Sequence, residues 1–200
     1  MKAAGVPDWY IGSCKKIAYL FPKAHAVAYV MMAFRIAWFK VHRPLAFYAA
    51  YFSIRAKAFD EASMCRGMDV CQKKMREIQL KDKEATAVEQ DMLTTLEVCY
   101  EFYLRGFNFE HMDIYRSKAI NFSVDEEKGT LLPPFVSVAG LGETAAYSLE
   151  EQCKGKEFIS IEEVSAACPK VSKTHIELLK AAGAFGSLPE TSQIDLFSMF

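Results

Sequence analysis

The longest helical pattern in the chain covers residues 24–42 and directly follows Phe21-Pro22-Lys23. Proline suits the first position of a helix, because it has no N–H group to lose there. Apolar residues lie almost all round this segment, namely Ala26, Val27, Val30, Met31, Ala33, Phe34, Ala37 and Trp38. A helix that is apolar on every side is usually a buried one. The pattern therefore predicts a long helix that is buried on most of its sides.

Shorter helices are predicted on both sides of this segment, over residues 7–16 and, after Arg43-Pro44, over residues 45–58. Two later sets of apolar residues recur at three- and four-residue spacing: Met64, Met68, Cys71, Met75, Ile78, then Met92, Leu96, Cys99, Tyr103. Residues 80–88 form a polar connection between the two, and Gly106 is positioned to end the second helix.

One β-hairpin is predicted over residues 120–132. Ile120, Phe122 and Val124 alternate with polar residues, and residues 125–129 supply a turn before Thr130-Leu131-Leu132. Two short helical units follow Pro133-Pro134, at 142–154 and 173–182, and they could be distant copies of one motif. Residues 188–200 read as a flexible tail. The predicted fold is mainly α, with a small β-hairpin element and a flexible C-terminal tail.

Composition and charge narrow the class of protein. The chain is 52% hydrophobic and 24% charged, as in globular proteins. Its longest uncharged apolar run, residues 24–34, is well short of the ~20 residues that span a bilayer, so we expect no membrane segment and a cytoplasmic protein. The six cysteines lack the paired spacings of zinc sites, and we expect free thiols and no metal site.

The formal net charge of −1 conceals an uneven distribution. Residues 1–60 contain nine Lys or Arg but only Asp8 and Asp60, which places this part near +7 and the remainder near −8. A positive first third suits contact with phosphates. A solvated basic face on a helical domain is the alternative explanation.

The start of the long helix is a candidate anion site. A helix N-terminus presents unpaired N–H groups and the positive end of the helix dipole, and Lys23 and His25 in the first turn could complete a site for a triphosphate. Tyr29 lies four residues after His25 and shares its face. The alternative is that Tyr29 belongs to the core and His25 is a buried, hydrogen-bonded histidine.

A second candidate site is the segment Val138-Ala139-Gly140-Leu141-Gly142, with Ala146 four residues after Gly142. It fits the helix-hairpin-helix pattern, in which glycines let the backbone turn tightly and approach a DNA phosphate. Lys170, Ser172 and Lys173 would lie in a second, paired hairpin. Glu143 puts a negative charge close to that phosphate, which Lys154, Lys156, Lys170 and Lys173 could offset. A packing turn without DNA contact is the alternative.

Several segments, in one order along nearly the whole chain, resemble PolC-type DNA polymerase III. They begin with Tyr10-Ile11-Gly12-Ser13-Cys14-Lys15-Lys16-Ile17, the run from Phe21 through Lys23 and His25 to Tyr29, and Tyr51-Phe52-Ser53-Ile54-Arg55-Ala56. They continue with Leu93-Thr94-Thr95-Leu96-Glu97-Val98, Arg105-Gly106-Phe107, Asp113-Ile114-Tyr115-Arg116-Ser117, Leu132-Pro133-Pro134-Phe135, Val171-Ser172-Lys173-Thr174 and Gln193-Ile194-Asp195-Leu196-Phe197.

The resemblance implies a C-terminal fragment of a DNA-directed DNA polymerase, a nucleotidyltransferase of DNA replication. Lys23, His25 and Tyr29 would lie at or beside the pocket for the incoming deoxynucleoside triphosphate (dNTP). In this family Mg²⁺ is held by aspartates of a palm domain earlier in the chain, so we expect no catalytic residue, no metal ligand and no activity in the fragment alone. Met1 falls where the family sequence would continue.

The resemblance also implies three parts: a helical fingers portion (1–118), a duplex-binding region with a paired helix-hairpin-helix domain (119–187) and a clamp-binding tail (188–200). Gln193, Leu196 and Phe197 fit a Gln-x-x-Leu-Phe motif for the bacterial sliding clamp. The expected partners are primer-template duplex DNA, dNTP, the clamp and the remainder of the polymerase. A stand-alone DNA- and clamp-binding module, or a helical interaction protein with neither activity, are the alternatives.

Overall fold

The computed structural model describes residues 1–16, 23–56 and 58–192. The chain forms two compact units, one over Met1–Arg43 and one from Pro44 onward. The fold is mainly α, as the sequence predicted, with one small sheet in the second unit.

The first unit consists of a short 3-10 turn (Lys2–Ala4) and two helices, α1 (Asp8–Lys16) and α2 (Lys23–His42). Asp8 lies in the first turn of α1, and Lys15 and Lys16 lie in its last turn. These charges have the signs that a helix dipole favours at each end. Both helices lie where the sequence pattern predicted them.

The expected burial of α2 is wrong for this chain. None of its residues is buried, and Phe34 is 73% and Tyr29 64% exposed. The pattern showed correctly that α2 is apolar all round, but the described residues do not cover that surface. By length and composition alone, α2 could cross a membrane, a test that the core helix of a soluble protein also passes.

The second unit begins with helices that surround an aromatic core. They are α3 (Pro44–Ala50), which continues into a π-helical turn (Tyr51–Arg55), then α4 (Glu61–Met64), α5 (Met68–Gln79), a 3-10 turn (Asp82–Glu84) and α6 (Ala87–Leu104). Tyr48, Phe52 and Phe102 are buried at the centre, and their rings contact one another. The helices predicted around residues 45–58 and 92–103 are thus confirmed, with shifts at their ends. The repeat predicted over residues 64–78 spans two helices, because Met64 ends α4 and α5 begins at Met68, after Gly67.

A three-stranded sheet adjoins this core, with strands β1 (Asn108–Phe109), β2 (Ser123–Asp125) and β3 (Thr130–Leu132) in the order β1-β3-β2. β2 and β3 form the predicted antiparallel hairpin, with Val124 opposite Leu131 and Gly129 at φ +69° in the turn. The alternating apolar pattern predicted that Val124 would be buried, but its side chain is 39% exposed. The sequence pattern missed β1, which pairs with β3 in parallel.

The last part of the second unit consists of a 3-10 turn (Phe135–Ser137) and three helices, α7 (Glu143–Cys153), α8 (Ile161–Ala167) and α9 (Lys173–Ala181). They share one apolar core that includes Phe135, Leu149, Val164 and Leu179. The sequence predicted α7 and α9 but not α8. Residues 188–190, which the pattern assigned to the tail, are part of this domain: Ile161 N–H donates to the Pro189 carbonyl and Glu162 N–H to that of Glu190.

The two apolar cores of this unit overlap in sequence. Phe122 and Leu131 belong to the aromatic core, whereas Met112 and Ile114 belong to the core of α7, α8 and α9. Each core therefore includes residues from both sides of position 118. The predicted boundary between fingers and duplex-binding region at residues 118 and 119 stays a prediction.

A capping box fixes the start of α6. The Thr86 hydroxyl accepts a hydrogen bond from Glu89 N–H (3.2 Å), and the Glu89 carboxylate accepts one from Thr86 N–H (2.9 Å). We predict that Thr86→Ala lowers the free energy of unfolding by about 1 kcal/mol, the typical value for the loss of an N-cap. Urea unfolding would measure the loss. Thr86→Ser, which keeps the hydroxyl, should stay close to the original stability, and equal losses in both variants would contradict this role.

The capping box of Thr86 and Glu89 also makes the stability of the fold sensitive to acid. Hydrogen bonds from Lys81 and from the Thr86 backbone lower the pKa of Glu89 from 4.5 to about 2. A carboxyl with a depressed pKa in the folded state stabilises the fold fully above its unfolded pKa. The contribution of Glu89 should therefore be lost as the pH falls from about 4.5 towards 2.

Candidate nucleic-acid interface

The first hairpin turn lies directly before α7. Leu141 N–H donates to the Val138 carbonyl (3.1 Å), and Gly140 takes a left-handed backbone conformation at φ +76°. Gly142 is the N-cap residue of α7, with extended backbone angles (φ −73°, ψ 159°) and no capping side chain. Gly140 and Gly142 are exposed, whereas Leu141 is buried. The turn thus presents its backbone to solvent while Leu141 anchors it.

The turn before α9 has a similar hydrogen bond and a similar N-cap, although Lys170, at the position of Gly140, lacks the positive φ. Val171 N–H donates to the Cys168 carbonyl (2.9 Å), and the N-cap residue Ser172 has nearly the same backbone angles as Gly142 (φ −71°, ψ 159°). The Ser172 hydroxyl accepts a hydrogen bond from His175 N–H (3.3 Å). Lys170 and Lys173 are exposed on either side of Ser172. The structure therefore contains the paired turn that the sequence suggested.

The two hairpins are copies of one motif, separated by thirty positions. Three buried residues of the first have buried counterparts in the second: Leu141 and Val171, Ala146 and Ile176, Leu149 and Leu179. Equivalent positions therefore anchor both helices in the shared core, and the suggestion that the two helical units are distant copies is supported.

The turns lie next to each other, and His175 is the residue between them. A Cβ atom added to Gly140 would lie 3.4 Å from His175 Nε2, and His175 Nδ1 lies 2.9 Å from the Ser172 hydroxyl. Sequence reasoning missed His175. The sequence signal that could have pointed to it is the thirty-residue repeat, in which His175 of the second hairpin takes the place of Ala145 in the first.

This arrangement suits phosphate groups. The first N–H groups of an α-helix have no partner within the helix and stand at the positive end of its dipole. At α7 and α9 these groups belong to residues on one surface, together with the exposed side chains of Lys170 and Lys173. Backbone N–H groups and lysines contact DNA phosphates without reading the bases. The surface can therefore hold a duplex independently of its sequence.

Glu143 remains exposed at the first position of α7. Lys154 and Lys156, which were expected to offset its charge, follow the other end of that eleven-residue helix, about 16 Å away. Lys156 instead donates to the Gln152 side chain (2.8 Å). Of the four lysines considered, only Lys170 and Lys173 lie at the hairpin end. Any offset of the Glu143 charge therefore rests on them.

Lys23, His25 and Tyr29 lie in the first turns of α2, in the unit Met1–Arg43. All three are exposed, so the alternative of a core tyrosine and a buried histidine does not describe this chain. The rings of His25 and Tyr29 contact edge to face, with centroids 4.5 Å apart, as their spacing predicted. Their proposed role in nucleotide binding stays a prediction.

Two further predictions concern the tail and metals. Gln193, Leu196 and Phe197 lie outside the described residues. Within the described part of the chain, no group of three or more His, Cys, Asp or Glu residues could hold a metal ion. The cysteines are free thiols, and Cys71, Cys99, Cys153 and Cys168 are buried.

Comparison with known proteins gives a matching family model for the region of the hairpins and similar proteins for nearly the whole chain. A family model described as "Helix-hairpin-helix motif" matches residues 106–193. The chain is 51% identical, over 98% of its length, to the DNA polymerase III PolC-type of Streptococcus suis (strain 98HAH33). It is 49% identical, again over 98%, to that of Caldanaerobacter subterraneus subsp. tengcongensis. It spans only 13% and 14% of these relatives.

We predict that Gly140→Leu and Gly142→Leu each weaken binding to duplex DNA about tenfold, the equivalent of one hydrogen bond to a charged group. A bulky side chain would hold the phosphate away from the turn. Fluorescence anisotropy with duplexes of unrelated sequence would measure the affinity, which should fall steeply with salt because phosphate contacts release counterions.

Gly155→Leu provides a matched control for Gly140→Leu, because Gly155 is also exposed and its φ of +69° is close to the +76° of Gly140. It places the same strain in a different loop. If the chain did not bind duplex at low salt, or if Gly155→Leu weakened binding equally, the turns would only pack the domain and would not contact DNA.

Proposed function

Because the chain belongs to the PolC-type DNA polymerase III family, we propose that it is the part of a replicative DNA-directed DNA polymerase that holds duplex DNA behind the site of synthesis. The observation that supports this most strongly is the pair of adjacent hairpin turns, within a chain that matches polymerase relatives over nearly its whole length. A replicative polymerase must hold any sequence, and contacts to phosphates alone meet that requirement.

The positive end of α2 is proposed to contribute to the dNTP site. Lys23, His25 and Tyr29 are all exposed there. Lys23 would pair with the triphosphate, and the Tyr29 ring, already in contact with His25, would line the pocket. Residues 1–60 are strongly basic, which favours an anionic ligand in this part of the chain.

Catalysis is proposed to depend on other parts of the polymerase. Phosphoryl transfer by polymerases uses Mg²⁺ held by carboxylates, and the described residues provide no such cluster. They do not fit the metal, so Mg²⁺ would be bound elsewhere. In the whole enzyme this segment would position the DNA and the nucleotide, and the chemistry would occur at carboxylates outside it.

The remainder of the polymerase is the proposed partner of α2. Large apolar side chains all round α2 are exposed, among them Tyr29, Phe34, Trp38 and Phe39. Such a surface is unusual on a soluble monomer and is typical of an interface. A core helix of a cytoplasmic enzyme would explain it without a membrane. A stand-alone hairpin module is not favoured, because the similarity to polymerases includes α1 and α2.

The tail is proposed to bind the sliding clamp. Leu196 and Phe197 would enter an apolar pocket, and the Gln193 amide would bond at its rim. Ser198, Met199 and Phe200 follow the motif in this chain.

We predict that the purified 200-residue chain does not extend a primer in the presence of Mg²⁺ and dNTPs. Groups that only position the substrates cannot stabilise the charge that develops during phosphoryl transfer. A gel-based extension assay would test this, with a complete PolC-type polymerase as the active control. Extension that persists after rigorous removal of contaminating polymerases would contradict the proposal.

In a complete polymerase that contains this segment, we predict that Lys23→Ala or His25→Ala raises the KM for dNTP about tenfold, as expected for the loss of one charge-assisted contact. The affinity for primer-template should change little. Lys40→Ala, in the last turn of the same helix, is the matched control. Unchanged nucleotide kinetics in the Lys23 and His25 variants would assign both residues a structural role.

Deletion of residues 193–200 should abolish clamp binding and leave thermal stability and duplex affinity intact, because the proposal assigns these residues to the clamp contact alone. Surface plasmon resonance against the cognate clamp, together with thermal unfolding, would measure both. A truncated chain that is destabilised but still binds the clamp would show that the tail is structural.

A further inference from the structure

The chain segment just before the proposed clamp motif is fixed to the folded domain. The carbonyls of Pro189 and Glu190 accept hydrogen bonds from Ile161 N–H (2.9 Å) and Glu162 N–H (3.0 Å), at the start of α8. Lys180 of α9 forms an ion pair with the Glu190 carboxylate. Leu188 packs against the apolar core. Any tether between the domain and the motif therefore begins no earlier than Glu190.

That tether is short. Gln193 follows Glu190 by three residues, which span at most about 11 Å when fully extended. A clamp that holds Gln193 and buries Leu196 and Phe197 must therefore come close to the start of α8. Because the clamp is itself a folded protein, its surface around the pocket would meet this side of the domain.

An exposed apolar side chain lies at this place. Ile159 is 66% exposed, although its neighbours Phe158 and Ser160 are buried. Its N–H donates to the Glu163 carboxylate (2.9 Å), and Phe158 N–H donates to the Tyr115 hydroxyl (3.1 Å). Ile159 is thus presented on a fixed backbone, two residues before the N–H group that bonds to Pro189. A contact there orders little that is not already ordered.

We propose that the surface formed by Ile159, Glu162 and Pro189 is a second contact with the sliding clamp, beside the tail motif. This inference rests on the proposed clamp binding by Gln193, Leu196 and Phe197. Once the tail is bound, the second contact forms within one complex, so a small apolar area suffices to add affinity. The intact chain should therefore bind the clamp more tightly than its tail peptide.

The test compares the intact chain, a peptide of residues 188–200 and three variants in binding to the purified cognate clamp. The intact chain should bind about tenfold more tightly than the peptide, and Ile159→Asp should reduce its affinity to the level of the peptide. Leu80→Asp, which changes another exposed aliphatic residue (87% exposed), should have no effect. Insertion of a flexible Gly-Ser segment after Ser192 should also weaken binding, because a longer tether lowers the effective concentration.

The outcomes separate the two proposals. A peptide and an intact chain that both fail to bind would overturn clamp binding by the tail. Equal affinity of peptide, intact chain and Ile159→Asp would overturn the second contact and leave the tail proposal in place. Should Ile159→Asp unfold in a circular-dichroism melt, Ile159→Thr takes its place with the same expected direction.

Discussion

A single apolar core holds both hairpin turns at one surface, and the proposed interface depends on that core. Leu141 and Val171 anchor the turns, while Leu149 and Leu179 bury the helices that follow. The distance between the turns is therefore set by packing and not by their own sequence. Gly140 lies beside His175 as a result, and its φ of +76° is a backbone conformation that glycine adopts without strain.

In the proposed interface, this scaffold would contact DNA mainly through its backbone. Helix N-termini and glycine turns present N–H groups whose positions do not depend on flexible side chains. Among the lysines considered above, Lys170 and Lys173 add positive charge at the turns, and Glu143 opposes them. We infer that these contacts alone would give modest affinity for a duplex.

The sequence predicted the features that depend on local pattern and missed those that depend on distant partners. Helical spacing located α2, α5 and α6, and the glycine pattern located the first hairpin. The exposure of α2 was not predictable, because periodicity shows which faces are apolar and not what covers them. β1 has two residues and pairs with a strand twenty residues later, which local pattern cannot show. α8 had a usable signal, the Ser160 cap with Glu163 three residues on. The helix N-terminus suggested a triphosphate site at Lys23 and His25. Its identification as a dNTP site, like that of the clamp as the partner of Gln193, came from the family resemblance.

Amide hydrogen exchange of the intact chain, with and without duplex DNA at low salt, tests the central claim most directly. If the paired turns hold the phosphates, the amides of residues 140–144 and 170–174 will exchange more slowly when duplex is bound, and they will do so together. Protection confined to the basic first unit, with both turns unchanged at saturating duplex, would show that the hairpins only pack the domain.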